Sequence, residues 1–192
     1  MSDVTSESQG RSGPGGSNHE KLSYYFIKSL VFLGFFSFLH FAWELMPVDV
    51  VLFFSANDES VFSHTKMAFY SWLFTSIVEF AWLLRGSHVE DKVAFVLSRI
   101  FVAVILPWFE VIVWYVVPAI VRAELPLSLE LPWAFAVVYI IGILGGVVER
   151  VLQKSKFDTF TMVVILVLFG LSVFFFTAFT WEKPWIDFFY LP

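Results

Sequence analysis

The segment that decides the fold runs from Thr159 to Thr180, reads TFTMVVILVLFGLSVFFFTAFT and contains no charged residue. A helix needs about 20 consecutive, mostly apolar residues to cross ~30 Å of hydrocarbon, so this segment is long enough to span a bilayer. Similar runs recur along the 192-residue chain, which is 58% hydrophobic and contains 25 Phe and 8 Trp. The sequence therefore predicts an all-α, polytopic membrane helical bundle.

Five transmembrane helices are predicted from the apolar runs. They cover residues 22–46, 67–84, 93–117, 133–148 and 159–180. Residues 1–20 are rich in Ser and Gly and carry no apolar run, a composition typical of a disordered tail. We therefore expect a cytoplasmic tail at 1–20 and a single transmembrane helical domain at 21–192.

The distribution of Lys and Arg predicts the orientation in the membrane. One predicted side collects Arg11, Lys21, Lys28, Arg85, Lys92, Arg150, Lys154 and Lys156, and the other has Lys66, Arg122 and Lys183. Cytoplasmic loops of membrane proteins carry an excess of these residues. The bias predicts a cell-membrane protein with a cytoplasmic N-terminus and a non-cytoplasmic C-terminus.

Composition also excludes several classes of function. The chain has no cysteine, so disulfides, thiolate metal ligands and cysteine nucleophiles are absent. The net charge is −5 and there is no basic stripe, which argues against nucleic acid as a partner. No Gly-rich phosphate loop or serine elbow occurs. The partners expected are the lipid bilayer and a lipid-like small molecule, whereas the cofactor stays unknown.

Polar residues gather where the first span ends. His40 and Glu44 lie four residues apart there, and a polar run from Ser55 to Lys66 follows. Ionisable side chains are costly in a bilayer and usually face the interior, pair with one another or mark a functional site. The predicted catalytic candidates are His40, Glu44 and Glu59, and the predicted ligand-binding residues are Asn57, His64, Lys66 and Glu110. Ser55 and Asp58 match a capping box, which predicts that the second long helix begins near them.

Three kinds of chemistry fit these polar residues, which we call the outer site because the predicted orientation places them on the non-cytoplasmic side. Two histidines with nearby carboxylates can hold a divalent metal that prefers nitrogen and oxygen, although their spacing matches no metal signature. His40 and Glu59 can alternatively act as an acid and base pair on a lipid-like substrate. In a third interpretation His64 and Lys66 are solvated contacts to lipid headgroups, and His40 with Glu44 contribute only packing and polarity.

Two further features lie within the spans. Glu79 and Arg99 fall at similar depth in neighbouring spans, which predicts a structural ion pair. Gly142 and Gly146 form a GxxxG pattern, which lets helices approach closely. We interpret it as packing within the bundle, with contact to a second copy or to a membrane-complex partner as the alternative.

The stretch from His40-Phe41 through Asn57, Glu59-Ser60 and His64-x-Lys66 resembles an uncharacterised group of small prokaryotic multi-pass membrane proteins. Members carry a His-Phe element in the first span, then Asn-Glu-Ser and a His-x-Lys at the start of the second. Here Asp58 stands between the Asn and the Glu. The resemblance covers the first half of the chain and, loosely, the C-terminal region. It implies a site at these residues and no particular reaction.

His40-Phe-Ala-Trp-Glu44, with Glu79 in a later span, is similar to the His-x-x-x-Glu arrangement of emopamil-binding-type sterol isomerases. That resemblance implies a membrane cavity lined by His40, Glu44 and Glu79, in which acid and base groups shift a double bond. Three classes of function therefore stay open: an enzyme or lipid-binding protein, a transporter, and a scaffold or assembly subunit. Neither an inverted repeat nor paired broken helices occur, which disfavours the transporter.

Overall fold

The computed structural model of the protein describes residues 18–86 and 91–190. This part of the chain is helical and contains no strand, which confirms the predicted all-α membrane bundle. The helices are α1 (Asn18–Leu45), α2 (Asp49–Phe54), α3 (Val61–Gly86), α4 (Lys92–Val121), α5 (Leu127–Leu152) and α6 (Thr159–Trp181), followed by a 3-10 turn at Asp187–Phe189. Residues 1–17 of the predicted tail lie outside the described residues. The last three residues of that tail, 18–20, belong to α1, which begins at Asn18.

Within residues 18–86 and 91–190, four helices are long and apolar enough to cross a membrane: α1 from Leu22, α4, α5 and α6. By composition, α3 does not qualify as the fifth span. It has 26 residues, about 39 Å at 1.5 Å per residue, and so has the length to cross. Its buried polar residues, which include Ser71, Thr75 and Ser76, lower its hydropathy and face the protein interior. The crossing of the membrane by α3 stays a prediction.

Side chains that satisfy exposed backbone N–H groups mark the helix starts. The carboxylates of Asp91 and Asp158 accept from the amides of Ala94 (2.9 Å) and Thr161 (2.7 Å) at the starts of α4 and α6. At α3 the predicted capping box is wrong, because Ser55 ends α2 and α3 begins only at Val61. There the Ser60 hydroxyl accepts from the Ser63 amide at 3.2 Å.

The core lies between α1, α3, α4 and α5, and α6 packs on α4 and, through the rings of Phe169 and Phe176, on Phe69 of α3. Trp72 of α3 is fully buried at its centre, with its ring centroid 5.5 Å from that of Phe32 in α1. A Cβ atom on Gly145 of α5 would lie 2.8 Å from the Trp72 ring and from Leu106. The small residues of α5 therefore let it reach the central tryptophan.

Gly142 and Gly146 both face α1. A Cβ atom at Gly142 would lie 2.5 Å from the Ser29 hydroxyl oxygen, and one at Gly146 would lie 3.2 Å from the Tyr25 ring. The GxxxG surface is therefore occupied by α1 of the same chain. This arrangement fits packing within the bundle rather than contact with a second copy.

Candidate functional site

Three groups converge at the end of the bundle where α1 ends and α3 begins. His40 comes from α1, Glu59 from the α2–α3 loop and His64 from the first turns of α3. His40 Nε2 lies 3.5 Å from Glu59 Oε1, and His64 Nε2 lies 3.4 Å from Glu59 Oε2. One ligand atom from each of the three residues lies within 4.8 Å of the others. We call this group the His–Glu–His site.

The backbone orients the His64 ring. Its Nδ1 lies 3.0 Å from the Ser60 carbonyl oxygen, which can only accept a hydrogen bond. Nδ1 therefore carries a proton, and Nε2 is the ring nitrogen that faces Glu59. The Phe36 ring stacks on the His64 ring, with the two ring centroids 6.4 Å apart. A histidine held through one nitrogen with the other free is the usual arrangement of a metal ligand.

His40 is packed rather than hydrogen-bonded. Its ring meets Phe41 edge-on at 4.9 Å and lies 5.7 Å from the His64 ring. Its Nδ1 is buried and has no hydrogen-bond partner among the described residues. Both imidazoles consequently present Nε2 to the same carboxylate.

The separations are longer than those of direct hydrogen bonds and are compatible with a shared cation. Hydrogen bonds to nitrogen normally span 2.7–3.2 Å, shorter than the 3.4 and 3.5 Å found here. Ligand atoms about 2.0–2.1 Å from a tetrahedral Zn²⁺ are about 3.3 Å from one another. Two imidazole nitrogens and one carboxylate form a donor set that divalent transition metals accept. Because the Glu59 side chain is 62% exposed, a fourth position would open to solvent.

Asp58 organises the loop that carries Glu59. Its Oδ1 accepts from the Ser60 amide at 3.1 Å and from the hydroxyls of Ser60 (2.5 Å) and Ser63 (2.7 Å), and its Oδ2 pairs with Lys183. Burial alone would raise the pKa of the Asp58 carboxyl. The hydrogen bonds from Lys183, Ser60 and Ser63 outweigh burial and lower this pKa to about 2.

Asp58 should make the protein sensitive to acid. Its folded pKa of about 2 lies below the unfolded value of ~3.9, so its contribution to stability is present above the unfolded value and is lost as pH falls through the folded one. We expect the unfolding temperature in detergent to fall less for Asp58→Asn than for wild type between about pH 5 and pH 2. Identical pH profiles would contradict this expectation.

The other predicted outer-site residues do not join the His–Glu–His site. Glu44 and Asn57 are exposed, and no hydrogen bond or ion pair links them to the three groups within the described ranges. Lys66 is buried, and its Nζ donates to the Leu52 carbonyl (2.9 Å) and the Thr180 hydroxyl (3.2 Å). Glu110 is buried in α4, with Oε2 unpartnered. The predicted ligand-binding set is therefore divided among separate environments.

A second polar cluster lies at the opposite end of the bundle. Arg99 Nη2 is 2.7 Å from Glu79 Oε1, so the structure brings together the two residues predicted to pair. Lys28 Nζ lies 2.5 Å from both Glu79 Oε2 and Glu149 Oε1, and Arg99 also lies 3.0 Å from Glu149. The four charges balance, are buried, and come from α1, α3, α4 and α5. We call them the ion cluster.

Sequence reasoning missed Lys28 and Glu149 as members of the ion cluster. From the sequence, Lys28 contributes only to the predicted orientation, and no role is predicted for Glu149. A signal was present, because Glu149 lies two turns after Gly142 and so shares the glycine face of α5, which packs on α1. Tyr24 completes the cluster by donating its hydroxyl to Glu79, and Gln153 accepts from Arg99 at 2.7 Å.

The fold indicates a helical membrane protein with four helices long and apolar enough to span a bilayer among its described residues, and these residues include a partly exposed His–Glu–His site and a buried ion cluster. No known family model, curated protein or solved structure matches the chain. The two resemblances drawn from the sequence therefore stay predictions.

Proposed function

We propose that this membrane protein binds a divalent transition metal through His40, Glu59 and His64. The observation that carries the proposal is the convergence of two imidazole Nε2 atoms on one carboxylate at 3.5 and 3.4 Å. The Ser60 carbonyl oxygen also supports the proposal, because it accepts a hydrogen bond from His64 Nδ1 and so leaves Nε2 free to coordinate a metal. Zn²⁺ accepts two imidazole nitrogens and a carboxylate oxygen as ligands, so it is the metal used to test the proposal.

The metal site would face the non-cytoplasmic side of a cell membrane. The basic residues Arg150 and Lys154 lie at the end of α5 next to the ion cluster, which the positive-inside rule assigns to the cytoplasm. His40 lies about 18 Å further along α1 than Lys28. The N-terminus would then be cytoplasmic and the C-terminus outside.

The alternatives have less support. An emopamil-binding-like isomerase would need Glu79 near His40, whereas Glu79 contacts Lys28 and Arg99 in the ion cluster. A scaffold that associates through Gly142 and Gly146 would need a free glycine face, and α1 covers it. A lipid-like ligand remains compatible with the proposal, because an open metal position near the membrane surface can accept a headgroup oxygen.

Metal content after gentle solubilisation tests the proposal. By native mass spectrometry with metal analysis, we expect about one Zn²⁺ per chain in wild type and none in the His40→Ala/His64→Ala double variant. Glu44→Gln is the matched control, because Glu44 lies one turn beyond His40, is exposed and does not join the site. Its metal content should equal that of wild type. Equal metal content in wild type and the double variant would refute the proposal.

A further inference from the structure

The segment that follows α6 is attached to the loop of the His–Glu–His site. Residues 182–190 turn back over this end of the bundle, where Phe189 is buried with its ring centroid 4.8 Å from that of Phe62 in α3. Phe188 stacks on Trp108 of α4 at 6.3 Å. These aromatic contacts hold the segment against two helices, and Lys183 lies between the end of α6 and these contacts.

A continuous series of contacts leads from Lys183 to a predicted metal ligand. Lys183 pairs with Asp58, Asp58 accepts from the amide and hydroxyl of Ser60, and the Ser60 carbonyl accepts from His64 Nδ1. Glu59 lies between Asp58 and Ser60 in the chain. The loop residues on both sides of the carboxylate ligand are therefore held by one ion pair and its hydrogen bonds.

Lys183 supplies the cation that pairs with the Asp58 carboxylate, in addition to the hydrogen bonds from Ser60 and Ser63. The Glu59 side chain is exposed, so packing does not fix its position. If Lys183 were removed, the Asp58 carboxylate would keep its bonds to Ser60 and Ser63 but lose its cation. In the intact pair the Lys183 and Asp58 side chains are only 19% and 24% exposed. A charge-assisted pair shielded from water is stronger and more directional than a neutral one in solvent.

We propose that Lys183 is a positioning residue of the metal site, which holds the Asp58–Ser60 loop so that Glu59 and His64 face the same cation. This inference rests on the proposed metal-binding function. Removal of groups that orient metal ligands typically lowers metal affinity about 10–100-fold, which sets the expected size of the effect. The C-terminal segment thereby becomes part of the site without contributing a ligand.

Zn²⁺ affinity of the full-length protein in detergent, measured by competition with a chelator, tests the inference. Lys183→Met should weaken binding about 10–100-fold. Lys183→Arg should restore affinity close to wild type, because it keeps the cation. Lys154→Met removes an exposed lysine from the opposite end and should leave affinity unchanged.

Two further measurements separate positioning from general damage to the fold. Hydrogen exchange of residues 55–66 in the metal-free protein should be faster in Lys183→Met, while exchange in α5 stays unchanged. With Co²⁺ in place of Zn²⁺, the visible absorption bands should shift in Lys183→Met and recover in Lys183→Arg. If wild type binds Zn²⁺, His64→Ala does not, and Lys183→Met binds as wild type does, the positioning role is refuted while the metal site stands. If wild type and His64→Ala both bind no Zn²⁺, the proposed function fails and this inference fails with it.

Discussion

Replacing Lys28 with Met is expected to lower the free energy of unfolding by about 3–5 kcal/mol, because it breaks a buried ion pair by removing one partner. Glu79 and Glu149 would then share Arg99 as their one remaining cation in the ion cluster. Lys28 is 4% exposed, so water cannot replace the lost ammonium group. Reversible unfolding in mixed detergent micelles measures the change.

A double variant tests whether charge balance is the cause. Lys28→Met with Glu149→Gln removes one charge of each sign, and we expect it to be more stable than Lys28→Met alone. Lys92→Met is the matched control, because Lys92 is exposed at the start of α4. A loss of stability in Lys92→Met as large as that in Lys28→Met would show that the ion cluster is not responsible.

Replacing Gly142 with Ala is expected to destabilise the bundle by about 1–3 kcal/mol, the usual cost of overpacking a core. The new methyl carbon would lie 2.5 Å from the Ser29 hydroxyl oxygen and 3.1 Å from the Ser29 Cα atom. The hydroxyl can rotate only by losing its hydrogen bond to the Tyr139 carbonyl (2.5 Å), and the Cα atom belongs to the backbone of α1. The two helices must therefore separate, which also disturbs Lys28 next to Ser29.

Glycines elsewhere in the same fold give the opposite expectation. A Cβ atom on Gly34 or Gly170 would meet no other described residue within 4 Å. Because alanine favours a helix over glycine by about 0.5–1 kcal/mol, Gly34→Ala and Gly170→Ala should be neutral or slightly stabilising. If Gly142→Ala behaved as these two do, close packing of α5 on α1 would not hold in the membrane.

The helices themselves could be predicted from local sequence. Apolar runs long enough to cross a bilayer determine where α1, α4, α5 and α6 lie, because backbone groups in lipid must pair within the same segment. α5 extends further than its apolar centre suggested, over Leu127–Leu152. α3 begins later than the sequence predicts. Asp58 does not cap it but accepts from Ser60 and pairs with Lys183, a residue distant in sequence.

The candidate site was predicted in part. His40, Glu59 and His64 were all named from the sequence, because ionisable groups at the end of an apolar helix are unusual. Their separation from Lys66 and Glu110 could not be predicted, since it depends on which way each helix is rotated in the bundle. Lys66 faces the end of α6 rather than the site, where it meets the Thr180 hydroxyl.

The sequence by itself determined the class of protein, a helical bundle in lipid, because hydropathy and segment length are local properties that no partner helix can change. It also excluded thiolate ligands for any metal here, since the chain has no cysteine. Only the tertiary structure decided which polar groups meet. Two ion pairs, Lys28 with Glu149 and Lys183 with Asp58, join residues far apart in the chain. They depend on how the helices are rotated and how closely they approach, which follows from packing of the whole bundle.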